Sequence, residues 1–502
     1  MKKLKYIVLI FGLMACSDLE EEVFSEISPS GFYNNATEAN VAITSVYNSF
    51  NRTVGLWDFG MSSMTSCPSP KLQGRVPWRR IWANYTTSTS DGLSLPRVWN
   101  SFYQGIFRIN VVIAELEERT FEEDDDKRIE LIAEAQWLRA WSYFNLVQLF
   151  GAVPLPMEPA VSVKDAQLSR TPIAEVYAQI ISDLEAAEAN LPAGKRPDAE
   201  LGRPFQTTAT FLLAKVYMTM AGQPLQDASK LAMAQAKIQE VIALEGSDQG
   251  YQLIESYEDA VRVDNNAGRI FAVQQTQSVA DQGTAFSHVW GAPNRFAPGL
   301  GQFHFGFTEE FYLEFDDTDE RRDVTMLASY TDTNGVFKNW FGAAEEGDDS
   351  PWNFRHGLFQ NKYVDFDQGC CDGDPDMIIY RYADALLMAA EIENSLNGPT
   401  AAAYGHLNRV RLRAKATEAP TGMSQEAFAE YVYQERFKEL SLEFQELYDI
   451  RRLGKVEEVL ATHPENITWQ PANTPYNPNF NLWPLPISEI NANPSLEQNP
   501  GW

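Results

Sequence analysis

The chain has 502 residues, with 69 acidic against 40 basic side chains and a formal net charge of −29. At 44% hydrophobic and 12% aromatic residues it is globular, and long enough for one large core or two or three interlocked ones. The charge speaks against nucleic acid and anionic lipid headgroups as partners, because both require clustered Lys and Arg.

The first element is a targeting segment. Lys2, Lys3 and Lys5 precede an apolar run from Tyr6 to Ala15. That run is half the roughly 20 residues a membrane-spanning helix needs, so residues 1–15 read as a signal peptide. Leu13-Met14-Ala15-Cys16 resembles the bacterial lipobox, in which the Cys becomes lipid-modified and N-terminal. The alternative is an ordinary signal peptide with a chance Cys. The acidic burst Ser17–Glu22 resembles the signal that sends such lipoproteins to the outside of the cell. Three further cysteines follow, Cys67, Cys370 and Cys371. An exported chain permits a disulfide, but an odd count and the strain of an adjacent pair favour free thiols.

Most readable segments beyond the leader are helical. Lys127–Phe150 reads as a long helix, apolar on more than one face, ended by Gly151 and the Pro154/Pro156 pair. Thr171-Pro172 reads as a helix start, with Thr as cap. Ile173, Val176, Tyr177, Ile180, Ile181, Leu184 and Leu191 then follow the helical repeat. "AKVYMTMAG" (Ala214–Gly222) and "AEIENSLNG" (Ala390–Gly398) look alike, and amphipathic helices follow near 226–244 and 400–414. Each is a helix–turn–helix unit with a small residue at the crossing and a Gly stop. The pattern suggests four tetratricopeptide-like units, interrupted by about 135 residues between Gly246 and Ile379.

That interruption, and Asn51–Ser94, are rich in Gly, Asn, Asp, Phe and Trp, with strand-like pieces such as "RIFAVQQTQ" (Arg269–Gln277). Long irregular segments in a compact helical protein are usually functional or disordered, and aromatics argue for order. The tail "LWPLPISEI … NPGW" alternates Trp483, Leu485 and Ile487, as an extended packed strap would. No catalytic signature is present: no G-x-S-x-G, Walker loop or H-E-x-x-H, and the five histidines lack ligand spacing.

Six stretches in order along the chain resemble the SusD/RagB family of outer-membrane nutrient-binding lipoproteins. They are "SPSGFYNNATEANVAITSVYNSF" (28–50), "EAQWLRAWSYFNLVQLFGAVPLP" (134–156), "RTPIAEVYAQIISDLEAAEANLP" (170–192), "RYADALLMAAEIENSLNG" (381–398), "ERFKELSLEFQELYDIRRLGK" (435–455) and "LWPLPISEINANPSLEQNPGW" (482–502). The resemblance implies an all-α fold of tetratricopeptide-like helix pairs, with a loop-rich insertion face carrying short strands. The expected layout is a leader over 1–15 and one domain over 16–502. Its scaffold would cover about 28–50, 100–246 and 379–455, its ligand face about 51–98 and 247–378, and its strap 466–502. The resemblance also implies a lipid-anchored, cell-surface protein that caps a TonB-dependent transporter of the SusC type. Members mostly bind oligosaccharides, a minority bind peptides, and they are not enzymes. A peptide-capturing RagB-like role is the nearest alternative, and a glycoside hydrolase the more remote one. Arg381, Glu391, Arg436 and Glu439 read as inter-helix ion pairs. The family's stacking residues lie in variable loops, so none carries over by position.

A sugar ring stacks its C–H face on an aromatic side chain and pairs its hydroxyls with amides, carboxylates or Arg. Two stretches offer that mixture. "RVPWRRIWANYTTSTSDG" (Arg75–Gly92) supplies Trp78, Trp82 and Tyr85, with Asn84 as a polar partner and Trp57 contributing from the preceding loop. The spacing of Trp78 and Trp82 equally suits one buried helical stripe. "HVWGAPNRFAPGLGQFHFG" (His288–Gly306) supplies Trp290, Asn294 and Arg295, with Gly and Pro arguing against a helix. Trp340, Phe341 and Trp352 form a weaker third group. No cofactor is required by this reading. Asp372, Asp374 and Asp376, at alternate positions, read either as an acidic solvent loop or as oxygen ligands for Ca²⁺ without the distal Glu of an EF-hand.

Overall fold

The computed structural model describes residues 32–51, 55–74, 76–197, 200–279, 282–295, 298, 300–339, 357–365, 373–463 and 476–502. The leader, Cys16, Trp340, Phe341, Trp352, Cys370, Cys371 and Asp372 lie outside them. Helix accounts for 52% of the structure and strand for 7%.

The scaffold is a stack of antiparallel helices. After α1 (Ala36–Tyr47), a π-helix (Leu56–Ser66), β1 (Leu72–Gly74) and a short α2 (Pro77–Ala83) come the long α3 (Leu95–Glu117) and α4 (Asp125–Phe150). α4 packs on α5 (Ile173–Asn190), α5 on α6 (Gln206–Ala221) and α6 on α7 (Lys230–Ala243). The chain then leaves the stack. It returns through a strand, Met377–Arg381, which pairs antiparallel with Arg269–Val273 in the "RIFAVQQTQ" segment. The helix Tyr382–Asn397 lies against α7 and so resumes the stack in space where the sequence interrupts it. Ala401–Arg413 and Gln425–Leu440 pack on that helix in turn. Gly222 ends α6 because the main chain of Arg452 crosses there: a Cβ would stand 2.4 Å from its carbonyl oxygen.

Boundaries differ in small ways with clear causes. α5 starts at Ile173 rather than Pro172, because Pro172 holds an extended ψ of 145° and Thr171 is drawn into a bridge with Val153. The strap buries Trp483 and Leu485, while Ile487 is exposed because a short helix, Ile487–Ala492, begins there and breaks the alternation. Trp483 is pinned by its indole N–H to the Met64 carbonyl (3.1 Å) and by its main-chain N–H to Leu149 (2.9 Å). Cys67 is a buried thiol that donates to the Ser62 carbonyl (3.1 Å) and is in no disulfide among the described residues.

The larger correction concerns residues 51–98, expected on the irregular ligand face. Leu56–Ser66 is instead a π-helix, buried except for a partly exposed Phe59. Its i→i+5 ladder obeys no 3.6-residue pattern, so helical periodicity does not reveal it. Hydroxyls close its carbonyls: Ser62 donates to Asp58 (2.6 Å) and Thr65 to Met61 (2.7 Å).

Buried ion pairs lock the helix angles. Arg381 reaches Glu439 (2.9 Å) and Glu443 (2.6 Å), and Arg436 reaches Asp384 and Asp449 (2.7 Å each). Glu391 holds Arg452. Burial works against the charged form of Glu439. The guanidiniums of Arg413, Arg381 and Arg321 outweigh it and hold the carboxyl far below its usual range.

Candidate functional site

The loop-rich face is organised by α2. β1 pairs with Phe305–Phe307, placing Leu72 opposite Phe307 and Gly74 opposite Phe305. Gly74 is needed because a Cβ there would sit 3.0 Å from the main-chain nitrogen of Arg80. Pro77 opens α2, and the seven-residue helix then dives into the core. Its first turn is therefore at the surface and its last turn is not. Trp78 is 42% exposed, the most exposed tryptophan among the described residues, while Trp82 is fully buried.

Trp78 stands on an aromatic base. The His304 ring meets it edge-on at 5.5 Å, and Phe59 lies 6.1 Å beyond His304. Under these sits Arg79, fully buried and in no carboxylate ion pair among the described residues. It donates to the carbonyls of Asp58 (2.5 Å) and Phe59 (3.3 Å) and to the hydroxyls of Ser62 (2.9 Å) and Ser63. Its guanidinium lies 5.1 to 5.6 Å from the rings of Phe59, Trp290 and Phe305. Burial pushes its pKa down to about 10, so it stays charged at neutral pH. Arg97, half-buried, places its guanidinium 5.1 Å from the Phe59 ring, with its Nη1 buried and without a hydrogen-bond partner among the described residues. Burial and the charge of Arg79 push His304 down to about 3, so the brace beneath Trp78 is a neutral imidazole at physiological pH.

Several expected ligand contacts are core residues instead. Trp82 meets Trp483 edge-on at 5.0 Å, and Tyr85 packs on the same indole at 5.0 Å. Asn84 is buried and accepts from the main-chain N–H of Thr86 (3.3 Å) and its hydroxyl (2.5 Å), which shapes the turn after α2. Trp57 lies inside the π-helix, stacked with Trp141 at 6.3 Å, its N–H donating to Phe50. Trp290 has both faces occupied, by Phe286 at 4.9 Å and Phe305 at 4.7 Å. It ends a short helix, Phe286–Trp290, that Gly291 terminates; the expected loop begins one residue later. None of these five has surface to offer a sugar.

Asn294 and Arg295 are partly exposed, on the turn where Asn294 accepts from Thr333 (2.8 Å) and Arg295 donates to Asn361 (2.7 Å). A hairpin, Ser329–Thr331 with Phe337–Asn339, rises there. Its Tyr330 rests on Phe359, which rests on Phe303, next in the chain to His304. The structure thus links Trp78 and Arg295 through one aromatic seam. His304, Phe59, Arg97 and the exposed Phe337 of the hairpin were missed by sequence reasoning. The "FHF" of residues 303–305 was the available signal. Asp374 accepts from the main chain and side chain of Gln277 (2.7 Å each) and Asp376 from Gln275 (2.9 Å) and Gln274 (3.0 Å). Their oxygens prolong the Arg269–Val273 pairing, and a Ca²⁺ ion would have to displace those amides. Among the described residues no group of three or more His, Cys, Asp or Glu is placed to hold a metal.

With this architecture the comparisons agree. The family model described as "SusD family" matches residues 297–502, and one described as "Starch-binding associating with outer membrane" matches residues 70–218. SusD-like protein P25 of Formosa agariphila is 27% identical, over 98% of this chain and 96% of its own. A SusD homolog from Bacteroides thetaiotaomicron superposes with a TM-score of 0.80 at 24% identity, covering 96% of this chain and all of that one. A solved laminarin-binding SusD-like protein superposes at 0.74 and 25% identity, over 94% of this chain and 100% of its own. The chain thus resembles the SusD family over residues 297–502 and, at 27% identity to one SusD-like protein, along nearly its whole length.

Proposed function

We propose that this protein captures glycan outside the cell on the Trp78 platform and hands it to a SusC-like TonB-dependent transporter, as a binding protein rather than an enzyme. The observation that carries the reading is the exposed face of Trp78, braced edge-on by His304 over a buried arginine. An indole held this rigidly loses little entropy when a sugar ring stacks on it. Asn294 and Arg295 along the seam, both partly exposed, supply hydrogen bonds to ring hydroxyls. The starch description of one family model and the laminarin of a structural relative make those polysaccharides the first probes. Lipidation at Cys16 and the acidic residues after it would hold the protein at the outer membrane, facing the medium.

Affinity gel electrophoresis over a polysaccharide panel including laminarin and starch tests this. Wild type should be retarded by at least one polymer, and Trp78→Ala should lose that retardation. Equal retardation of both proteins would remove the platform from the mechanism.

A further inference from the structure

A cleft of about 280 Å³ opens on the helical side of the molecule, where the strap crosses α4, α5 and α6. It is walled off from Trp78 by the buried Trp82–Trp483 pair: Trp82 is one turn along α2 from Trp78, and Trp483 follows the cleft residue Leu482. Its floor includes Tyr177, which is only 2% exposed. Burial raises the Tyr177 pKa, so the phenol stays protonated and can donate. Its hydroxyl has no hydrogen-bond partner among the described residues, and neither do the side-chain amides of Gln223 and Asn479, which also line the cleft. A nearly buried tyrosine normally satisfies its hydroxyl, so an open one facing a cavity marks a place for a ligand atom. Apolar surface comes from Leu482 and from three prolines of separate segments, Pro224, Pro478 and Pro500, which give a stiff rim.

The two cleft arginines decide the charge of what fits. Arg452 is held by Glu391 and Asp449. Arg451 donates to the carbonyls of Gln148 (2.9 Å) and Leu149 (3.2 Å) and lies over the Trp483 ring at 4.7 Å, with its remaining nitrogens sealed from solvent. Neither presents a free guanidinium edge to an acidic group.

We propose that this cleft is a second binding site, for one uncharged sugar residue. The Tyr177 hydroxyl and the Gln223 and Asn479 amides take its hydroxyls, and its C–H face lies on Leu482 and the proline rim. The volume, near the lower end of the roughly 300–1,000 Å³ of small-molecule pockets, suits a single ring rather than a chain. The site stands independently of the Trp78 platform.

Saturation-transfer NMR with the methyl α-glycosides of glucose, galactose and mannose, and with glucuronate, tests it. At least one neutral glycoside should bind wild type and Trp78→Ala equally. It should bind Tyr177→Phe about five- to tenfold more weakly, the effect of one hydrogen bond. Gln223→Trp, a substitution at an exposed rim position, should block the cleft while thermal unfolding stays unchanged. The proposal is overturned if no neutral glycoside binds, if glucuronate alone binds, if both cleft variants bind like wild type, or if Trp78→Ala removes the signal.

Discussion

Arg381 in the scaffold and Arg79 beneath the loop face are both buried, yet their surroundings differ. Arg381 is clamped by two carboxylates, Glu439 and Glu443. Arg79 has carbonyls, hydroxyls and three aromatic rings. A carboxylate pair is directional and ties one helix to another across the stack. A ring cage is softer in direction but builds a continuous aromatic layer beneath Trp78. The scaffold uses buried charge to fix shape; the loop face uses it to stiffen a platform.

The sharpest way to break that contrast is Glu439→Gln, which takes one carboxylate from Arg381 and Arg321 and leaves Arg413 with none among the described residues. Removing one partner of a buried pair costs about 3–5 kcal/mol, readable by denaturant unfolding. A loss below about 1 kcal/mol would mean the network is not what holds the helices. Arg79→Met removes the ring contacts and the hydrogen bonds but breaks no direct ion pair among the described residues, so the expected loss is smaller, about 2–3 kcal/mol. Glycan affinity should fall with it, since the base of Trp78 loosens; unchanged affinity would separate the cage from the platform.

Asp58 sharpens the comparison through pH. Burial raises its pKa to about 7, against hydrogen bonds and the charges of Arg79 and Arg97 that lower it. A raised folded pKa means the stability it contributes is present below the unfolded value near 4 and is lost as pH rises through about 7. Asp58→Asn should therefore gain in melting temperature over wild type on going from pH 5 to pH 8. A difference that is flat or shrinks across that range would contradict a carboxyl raised by burial. The smallest stability effect belongs to Trp78→Ala, within about 0.5 kcal/mol, since the residue is substantially exposed. Trp82→Ala, by contrast, should cost about 3–5 kcal/mol and alter binding only through folding.

Sequence reasoning read the two kinds of region unequally. Lys127–Phe150 and the Gly-stopped helices were legible because helical burial repeats every three to four residues. The pairing roles of Arg381 and Glu439 were legible as well, since charges on otherwise buried helices need partners. The π-helix was not, because its period differs and its Ser and Gly residues imitate a loop. The tryptophans were misjudged for a related reason. Trp78 and Trp82 have the same spacing and similar neighbours whether a helix lies along the surface or plunges from it, and Trp290 beside Gly291 looks like a loop residue until Phe286 and Phe305 close on it.

The sequence by itself determined the helical class, the helix pairs and their interruption. These follow from local periodicity, stop signals and motifs carried along the chain. Only the tertiary structure decided which aromatics face solvent. Exposure depends on the depth and tilt of an element among distant neighbours such as Trp483, Phe305 and His304. No window of sequence around Trp78 contains them all.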